Sequence, residues 1–269
     1  MKLLCETLQV SRSAYYCYLS KPKSNKDENL IVEVEAIHKK SNMSYGSRRI
    51  SKYLQMNNYK VGRYKARRLM RNAGVECKQR RRYKVTTQSD ARLPVAKNIL
   101  NRAFAVAKPN RVWLADITYL RTHEGWVYLA AVLDACSRRV VGWALANHMR
   151  KRLVFDALNM ALGRRKPNGD LLHHSDRGSQ YASMDYQALL KTKGITVSMS
   201  RKGNCWDNSV MERFFGSLKS ERTDGKKYIT REQAKTDIID YIEMFYNSHR
   251  LHSTLGYISP MQYECTMDL

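Results

Sequence analysis

Hydrophobic positions along the chain recur at helical spacing in the first part and gather into β-prone runs in the second. Residues 3–8 and 11–19 read as two short helices about a Gln9-Val10 turn, with Ser11 as N-cap of the second and Arg12, Tyr15, Tyr16 and Tyr18 crowded on it. A polar linker at 21–26 leads into a helix over 27–40, where Leu30, Val34 and Ile37 share one face. The run Tyr45-Gly46-Ser47-Arg48-Arg49-Ile50 turns into a second helix reaching about Gln55, burying Ile50 and Leu54. A third runs from Gly62 or Arg63 to Asn72 and stops at Gly74, a natural C′ residue, with Tyr64 and Leu69 as core contacts. From Cys77 to Arg102 the periodicity fades.

Beyond residue 104 the pattern changes. Residues 112–120, 126–136 and 139–146 read as three antiparallel strands, the first two joined at His123-Glu124-Gly125. A helix over 152–164, a Pro167-Asn168-Gly169 turn, a fourth strand at 171–174, a helix over 186–193 stopped by Gly194 and a fifth strand at 195–199 follow. A Gly- and Asn-rich loop at 203–208 precedes a helix with Glu212 in its first turn and Lys219 two turns on. Residues 230–246 form a long amphipathic helix with Thr230 and Gln233 as a capping box and Ala234, Ile238, Ile242 and Phe245 inward. Ser259-Pro260 opens a last short helix. The predicted fold class is α/β: a ribonuclease-H-like core, a five-stranded mixed sheet with flanking helices, preceded by a small all-helical helix-turn-helix region. The expected domains are 1–20, a partial helix-turn-helix or docking helices; 27–75, a helical DNA-binding domain; 76–103, a basic linker; and 104–269, the core with its C-terminal helices.

Charge gives the helical region a task. The chain carries 48 Lys+Arg against 24 Asp+Glu, a net of +24, and +17 of this falls in residues 1–103. Such an imbalance predicts a polyanionic partner. The third helix holds Arg63, Lys65, Arg67, Arg68 and Arg71 with no acid, as a helix entering the major groove would. A solvated charged face is the competing reading. Arg48 and Arg49 precede it, and Arg80, Arg81 and Arg82 lie in a linker suited to tracking phosphates. The six cysteines include no Cys-x-x-Cys pair, so reduced thiols in the cytoplasm are expected and a zinc finger is not. Neither a signal-peptide run nor a membrane span is legible, so the protein is expected where the DNA is, with no membrane partner.

Three acids stand out. Asp116 lies mid-strand, where Asp is disfavoured. Asp176 lies just past the end of the fourth strand, where open sheets place ligands. Glu212 is on a helix, separated from Asp176 by 35 residues. Together they suit a pair of Mg²⁺ ions about 3.5–4 Å apart. Each also has a plainer reading: Asp176 as a turn residue before Gly178, Glu212 in a capping box with Ser209, and Asp116 satisfied by backbone and a nearby Arg. Asp134 is either an outer acid of the same site, on the same face as Asp116, or a partner for Ser137 or Arg138 at the strand end, the preferred role. His173 and His174 are expected to be packed or hydrogen-bonded rather than metal ligands. Lys219, seven residues past Glu212 and so on its helix face, is placed to hold a phosphate, with Arg213 and Lys202 as further DNA contacts. Trp206 is read as a core anchor in preference to a base-stacking wedge.

These residues resemble the integrase-core transposases of bacterial insertion sequences, specifically the second-frame (OrfB) product of the family called "IS-three". The likeness rests on Trp113-x-x-Asp116-Ile117-Thr118, Leu133-Asp134-x-x-Ser137-Arg138-x-Val140-Val141-Gly142-Trp143, His174-Ser175-Asp176-x-Gly178-x-Gln180-Tyr181, Gly203-x-Cys205-x-Asp207-Asn208-x-x-x-Glu212-x-Phe214-Phe215-x-x-Leu218-Lys219 and Tyr246-Asn247-x-x-Arg250-x-His252-x-x-Leu255-Gly256-Tyr257-x-Ser259-Pro260. It extends to Tyr45-Gly46-x-Arg48-Arg49 and covers nearly the whole chain. The resemblance implies a ribonuclease-H-like fold, a DDE triad of Asp116, Asp176 and Glu212, and Mg²⁺ or Mn²⁺. It implies metal-dependent cleavage at the ends of an insertion sequence and transfer of the freed 3′-hydroxyl into target DNA. It also implies a homo-oligomer on DNA and a protein from the upstream frame as partner. A non-catalytic DNA-binding regulator of transposition and a metal-dependent nuclease are the alternatives.

Overall fold

The described residues of the computed structural model, 1–20, 27–78 and 95–267, fall into two units, Met1–Cys77 and Lys78–Leu269. The polar linker at 21–26 and the Arg80, Arg81 and Arg82 run lie outside the described residues.

The first unit is helical. Helices α1 (Lys2–Thr7) and α2 (Arg12–Ser20) flank a turn in which Gln9 takes a φ of 51°, and the Ser11 hydroxyl accepts from the Ala14 amide at 3.0 Å, capping α2. Helices α3 (Glu28–Lys40), α4 (Ser47–Met56) and α5 (Arg63–Asn72) enclose a core of Leu30, Val34, Ile37, Ile50, Leu54, Ala66, Leu69 and Met70. Tyr64, expected in that core, is instead 83 % exposed. The buried positions of α5 are 66, 69 and 70, and residue 64 lies two positions, about 200° of helix turn, from Ala66. The basic residues of α5 divide accordingly. Arg63, Arg67 and Arg71, four apart, form an exposed stripe with Tyr64 beside it. Lys65 and Arg68 each reach Asp27 at 2.9 Å and hold its carboxyl below the usual range, Lys65 most strongly. Arg48 is exposed, and the Arg49 guanidinium lies 5.2 Å from the centre of the Tyr45 ring.

The second unit is built on a five-stranded sheet in the order β3-β2-β1-β4-β5. Strands β1 (Val112–Thr122), β2 (Gly125–Asp134) and β3 (Val140–Ala146) form an antiparallel meander. Strands β4 (Leu172–Ser175) and β5 (Thr196–Met199) add parallel to β1. This is the ribonuclease-H-like arrangement that the strand pattern predicts. Alternation along β1 and β2 splits the core between two faces. Trp113, Ala115, Ala130 and Val132 pack with α6 (Lys151–Arg165) and α7 (Met184–Thr192). Leu114, Leu129, Ala131 and Leu133 pack with α8 (Ser209–Leu218), α9 (Arg231–Asp240) and the π-helical turn Tyr241–Tyr246 that prolongs α9. The helix expected over 230–246 therefore begins in the Thr230–Gln233 capping box, as predicted, but changes pitch at Tyr241. The wider turn sends Tyr241, Ile242 and Tyr246 all inward. A second π-helical turn, Lys219–Thr223, follows α8, and Ser259 and Gln262 cap the final helix α10 (Pro260–Cys265).

The two π turns are joined by a buried ion pair. Arg250 donates to Glu221 through Nε at 2.8 Å and Nη2 at 2.7 Å, and the Tyr241 hydroxyl donates to the same carboxylate at 2.8 Å. Helix α6 touches the sheet most closely at Gly142 of β3, where an added Cβ would stand 2.3 Å from the Ala157 carbonyl oxygen and 2.7 Å from the Ala161 Cβ. Backbone cannot give way there, so Gly142→Ala should lower stability by about 3 kcal/mol, the upper part of the overpacking range, read from denaturant unfolding of the full chain.

Candidate active site

Parallel pairing of β1 with β4 ends at Ala115 opposite Ser175. The next residue on each strand is an acid, Asp116 and Asp176, so two carboxylates emerge side by side on strands about 4.8 Å apart. Asp116 also pairs with Ala131 of β2, whose side chain faces α8, which turns its carboxylate toward the helix carrying Glu212. Glu212 lies in the first turn of α8.

Several plainer readings of these acids fail. Ser209 does not cap α8: Asn208 is the N-cap, with no side-chain cap, so Glu212 is not in a capping box. Asp176 does accept from the Gly178 amide at 2.9 Å, as a turn residue would, through Oδ1. Asp116 Oδ1 accepts the Ile117 amide at 2.7 Å, but no arginine pairs with it. Among the described residues none of the three acids has an ion pair, in a chain of net +24. Their charges act on one another instead. Burial pushes the Asp116 carboxyl well up, the Asp176 charge adds to this, Glu212 adds less, and only the Ile117 amide and Lys219 oppose. Burial also raises Asp176, against the Gly178 hydrogen bond, and raises Glu212. The Tyr181 phenol is buried beside Asp116 and Asp176 and is pushed well up, first by burial.

Lys219 directly follows α8 and opens the π turn, with helical backbone angles at both Leu218 (φ −51°, ψ −49°) and Lys219 (φ −62°, ψ −57°). Its Nζ lies 5.7 Å from the centre of the Tyr119 ring, and its charge is felt at Asp116. Burial lowers its pKa, with Asp224 and Asp116 pulling the other way. Arg213 and Lys202 are exposed.

Asp134 takes the strand-end role. Its carboxylate accepts the amides of Asn110 at 2.6 Å, Cys136 at 2.9 Å and Ser137 at 3.0 Å. It pairs with Trp113, three residues from Asp116 and thus on the opposite face, so it is not an outer acid of this site. Both histidines are packed and neutral: burial lowers His173 to about 3 and His174 to about 4. His173 Nε2 meets the Tyr186 hydroxyl at 3.1 Å. His174 bridges Ser198 Oγ at 2.9 Å and the Asp207 carbonyl at 3.0 Å.

Asp207 went unrecognised in the sequence. It is fully buried and accepts from Arg102 Nε at 2.8 Å, Asn98 Nδ2 at 2.9 Å, and Arg201 through its amide at 3.0 Å, Nε at 2.9 Å and Nη2 at 2.8 Å. Asn208 Nδ2 reaches the Ala115 carbonyl at 3.4 Å. These contacts seat the start of α8, and so Glu212, on the strand that carries Asp116. Arg201 lies six residues before Asp207, but Asn98, Arg102 and Ala115 are about a hundred residues from their partners, so only the acid in an otherwise Gly- and Asn-rich loop hints at them. Trp206, read as a core anchor, is 69 % exposed. Asp207 and Asn208, its neighbours, take the buried positions of the turn.

Among the described residues no group of three or more His, Cys, Asp or Glu is placed to hold a metal ion. The donors nevertheless suit a hard divalent cation in kind: three carboxylates, each raised in pKa and none in an ion pair, with Lys219 acting on Asp116 from beyond contact.

Integrase core domain models match residues 106–205 and 212–267, and an HTH-like domain model matches residues 24–83. A 31 kDa protein of insertion element IS600 from Shigella sonnei is 44 % identical over 260 residues, covering 96 % of each chain. Transposase InsF of insertion sequence IS3A from Escherichia coli K12 is 39 % identical over 269 residues, covering 98 % of this chain and 93 % of its own. The chain belongs to the IS3 family of transposases. It is an enzyme of DNA transposition with an integrase core. More distantly, a simian T-cell lymphotropic virus intasome chain aligns at 15 % identity and a TM-score of 0.46, covering 86 % of the transposase and 73 % of that chain. The HTLV-2 integrase catalytic core, solved in complex with magnesium, aligns at 15 % identity and a TM-score of 0.44, covering 58 % of the transposase and 96 % of that chain.

The pKa shifts of the acids carry opposite signs for stability. Asp116, Asp176 and Glu212 have folded pKa values above their unfolded ones, so each lowers stability as pH rises through the carboxylate range toward neutrality. Asp207, held below its unfolded value by Arg201 first and then by the Arg201 amide and Arg102, adds stability above that range and loses it as pH falls. At pH 7 without divalent ions, Asp116→Asn should therefore raise Tm, by about 2–4 °C for each kcal/mol of strain relieved, and Asp207→Asn should lower it. Both differences should shrink at about pH 3, measured by calorimetry.

Proposed function

We propose that Asp116, Asp176 and Glu212 together hold divalent metal, two Mg²⁺ ions with Mn²⁺ as a substitute, and that the chain cleaves DNA at the ends of its element and transfers the freed 3′-hydroxyl ends to target DNA. The observation that carries this reading is the set of three carboxylates without an ion pair at the carboxyl end of a parallel strand pair, where the charges of Asp176 and Glu212 raise Asp116 and burial raises all three. Bound metal would there activate the attacking hydroxyl and stabilise the leaving 3′ oxygen. Asp116 is the inner acid, sensing the charges of both the others, while Asp176 and Glu212 flank it. Asp207 and His174 position the acids without touching substrate. Lys219, half-buried beside Asp116, is suited to hold a phosphate oxygen of the reacting strand, and exposed Arg213 and Lys202 to hold backbone further out.

The first unit supplies DNA affinity in this reading. The stripe Arg63, Arg67 and Arg71 faces the major groove with Arg48 on phosphate, and Arg80, Arg81 and Arg82 follow the backbone. Lys65 and Arg68 contribute less, because Asp27 already holds them. Bringing two element ends into one reaction calls for at least two protomers, with the upstream-frame protein as a further partner, on the bacterial nucleoid in the cytoplasm.

Asp116→Asn, Asp176→Asn and Glu212→Gln should each cut strand transfer by more than about a hundredfold while leaving binding to element-end duplex within about twofold. A variant with near-normal transfer would remove that residue from the site. Lys219→Ala should lower joining of a pre-cut end to a second duplex by about tenfold, the loss of about 1.4 kcal/mol at the transition state. Efficient hydrolysis by monomers with no joined product, when both ends and the upstream-frame protein are supplied, would instead mark a nuclease.

A further inference from the structure

The 3₁₀ turn Cys205–Asn208 presents an exposed indole from a rigid mount. Of the four tryptophans, Trp113 is fully buried and Trp206 is the most exposed, at 69 %. A single exposed apolar side chain is ordinary on a protein surface and would need no explanation. Two features set this one apart. The residues that follow it are fixed, Asp207 by two arginines and an asparagine and Asn208 by the backbone of Ala115, the residue before Asp116. The indole therefore sits on a turn tied to the acid site, and little ordering is left to offset on binding. The residue next to it also gathers cations. Arg102 and Arg201 both bind Asp207, adjacent to Trp206 in the turn, with 45 % and 48 % of their side-chain surface still open, and Lys202 is exposed on the same loop.

An aromatic face set among cations is how proteins hold the bases of unpaired nucleic acid: the base stacks and the backbone meets the charges. Inside a duplex both faces of a base are covered by its neighbours, so such a surface selects a base that has left the stack. Resting on the assignment of the acid site above, we propose that Trp206 stacks on an unpaired DNA base next to the reacting phosphate, holding the strand end open while Lys219 and the acids engage the backbone. The chemistry favours a base over an apolar protein partner, because the part-exposed arginines on the adjacent Asp207 would meet phosphate in a DNA contact and gain nothing against apolar surface.

The test needs no catalysis. Full-length protein is mixed, without divalent ions, with duplexes of the element's own terminal sequence carrying the fluorescent base aminopurine at one position at a time. Wild type should change the emission of one position, or of two neighbours, at the cleavage point. Trp206→Phe should keep that response, and Trp206→Ala should lose it and bind about tenfold more weakly, within the range for a lost base stack. The deficit of Trp206→Ala should disappear on DNA lacking a base at the responding position. Thermal unfolding of both variants checks that they fold, and the wild-type position scan stands without them. An emission response that Trp206→Ala retains, no responding position with wild type, or a deficit that persists on abasic DNA would overturn the proposal. So would shielding of Trp206 from iodide by self-association without DNA. Strand-transfer activity is not read, so loss of the acid-site assignment and loss of the stacking role are told apart.

Discussion

The register of two parallel strands governs the active site. Because β1 and β4 pair as far as Ala115 and Ser175, the acids that follow them are placed together before any helix contributes. A slip of one residue would send one of the two acids to the other face of the sheet. Hydrophobic alternation guards that register. Trp113 and Ala115 belong to one buried face and Leu114 to the other, so a slip of one residue would exchange the two sets.

The third acid depends on a tertiary clamp. Asp207 draws Asn98 and Arg102 from the segment before the sheet and Arg201 from the end of β5, while His174 on β4 takes its carbonyl. One buried carboxylate thus anchors α8 to the segments on which Asp116 and Asp176 stand. Burying such a charge is costly unless it is well paired, and here the pairing also sets geometry. The Glu221–Arg250 pair has the same character at the far end of α8, where it fixes the π turn that begins with Lys219. π turns inside helices commonly mark functional positions, and this one begins at a lysine whose charge acts on Asp116.

Stability and function pull against each other at the three acids. The charges of Asp176 and Glu212 raise the Asp116 pKa, and among the described residues none of the three has an ion pair, whereas the buried acids Asp207, Glu221 and Glu264 are paired with arginine and buried Asp134 is held by three backbone amides. A chain with twice as many basic as acidic residues had ample means to neutralise them. Leaving them unpaired costs stability in the absence of a cation, and the proposed metal role accounts for that cost.

Much was legible along the chain because it depends on local order. Period-two and period-3.6 patterns determined the strands and helices to within a few residues, and the chain itself placed Asp116 mid-strand and Asp176 at a strand end. Capping residues at Thr230 and Ser259 began helices as local hydrogen bonding requires. What the sequence could not settle depends on contacts between distant segments. The inward side of a short helix with an aromatic at its start was one such case, and Tyr64 faces out. The Trp206 turn was another: Asp207, paired with arginines up to about a hundred residues away, took the interior and left the indole in solvent. Pitch was a third. A run of helical periodicity does not distinguish α from π, and the wider turns after α8 and α9 arise in the tertiary structure, where the Glu221–Arg250–Tyr241 network joins them. Local periodicity reports which face of an element is apolar, but only packing decides which distant charge satisfies which.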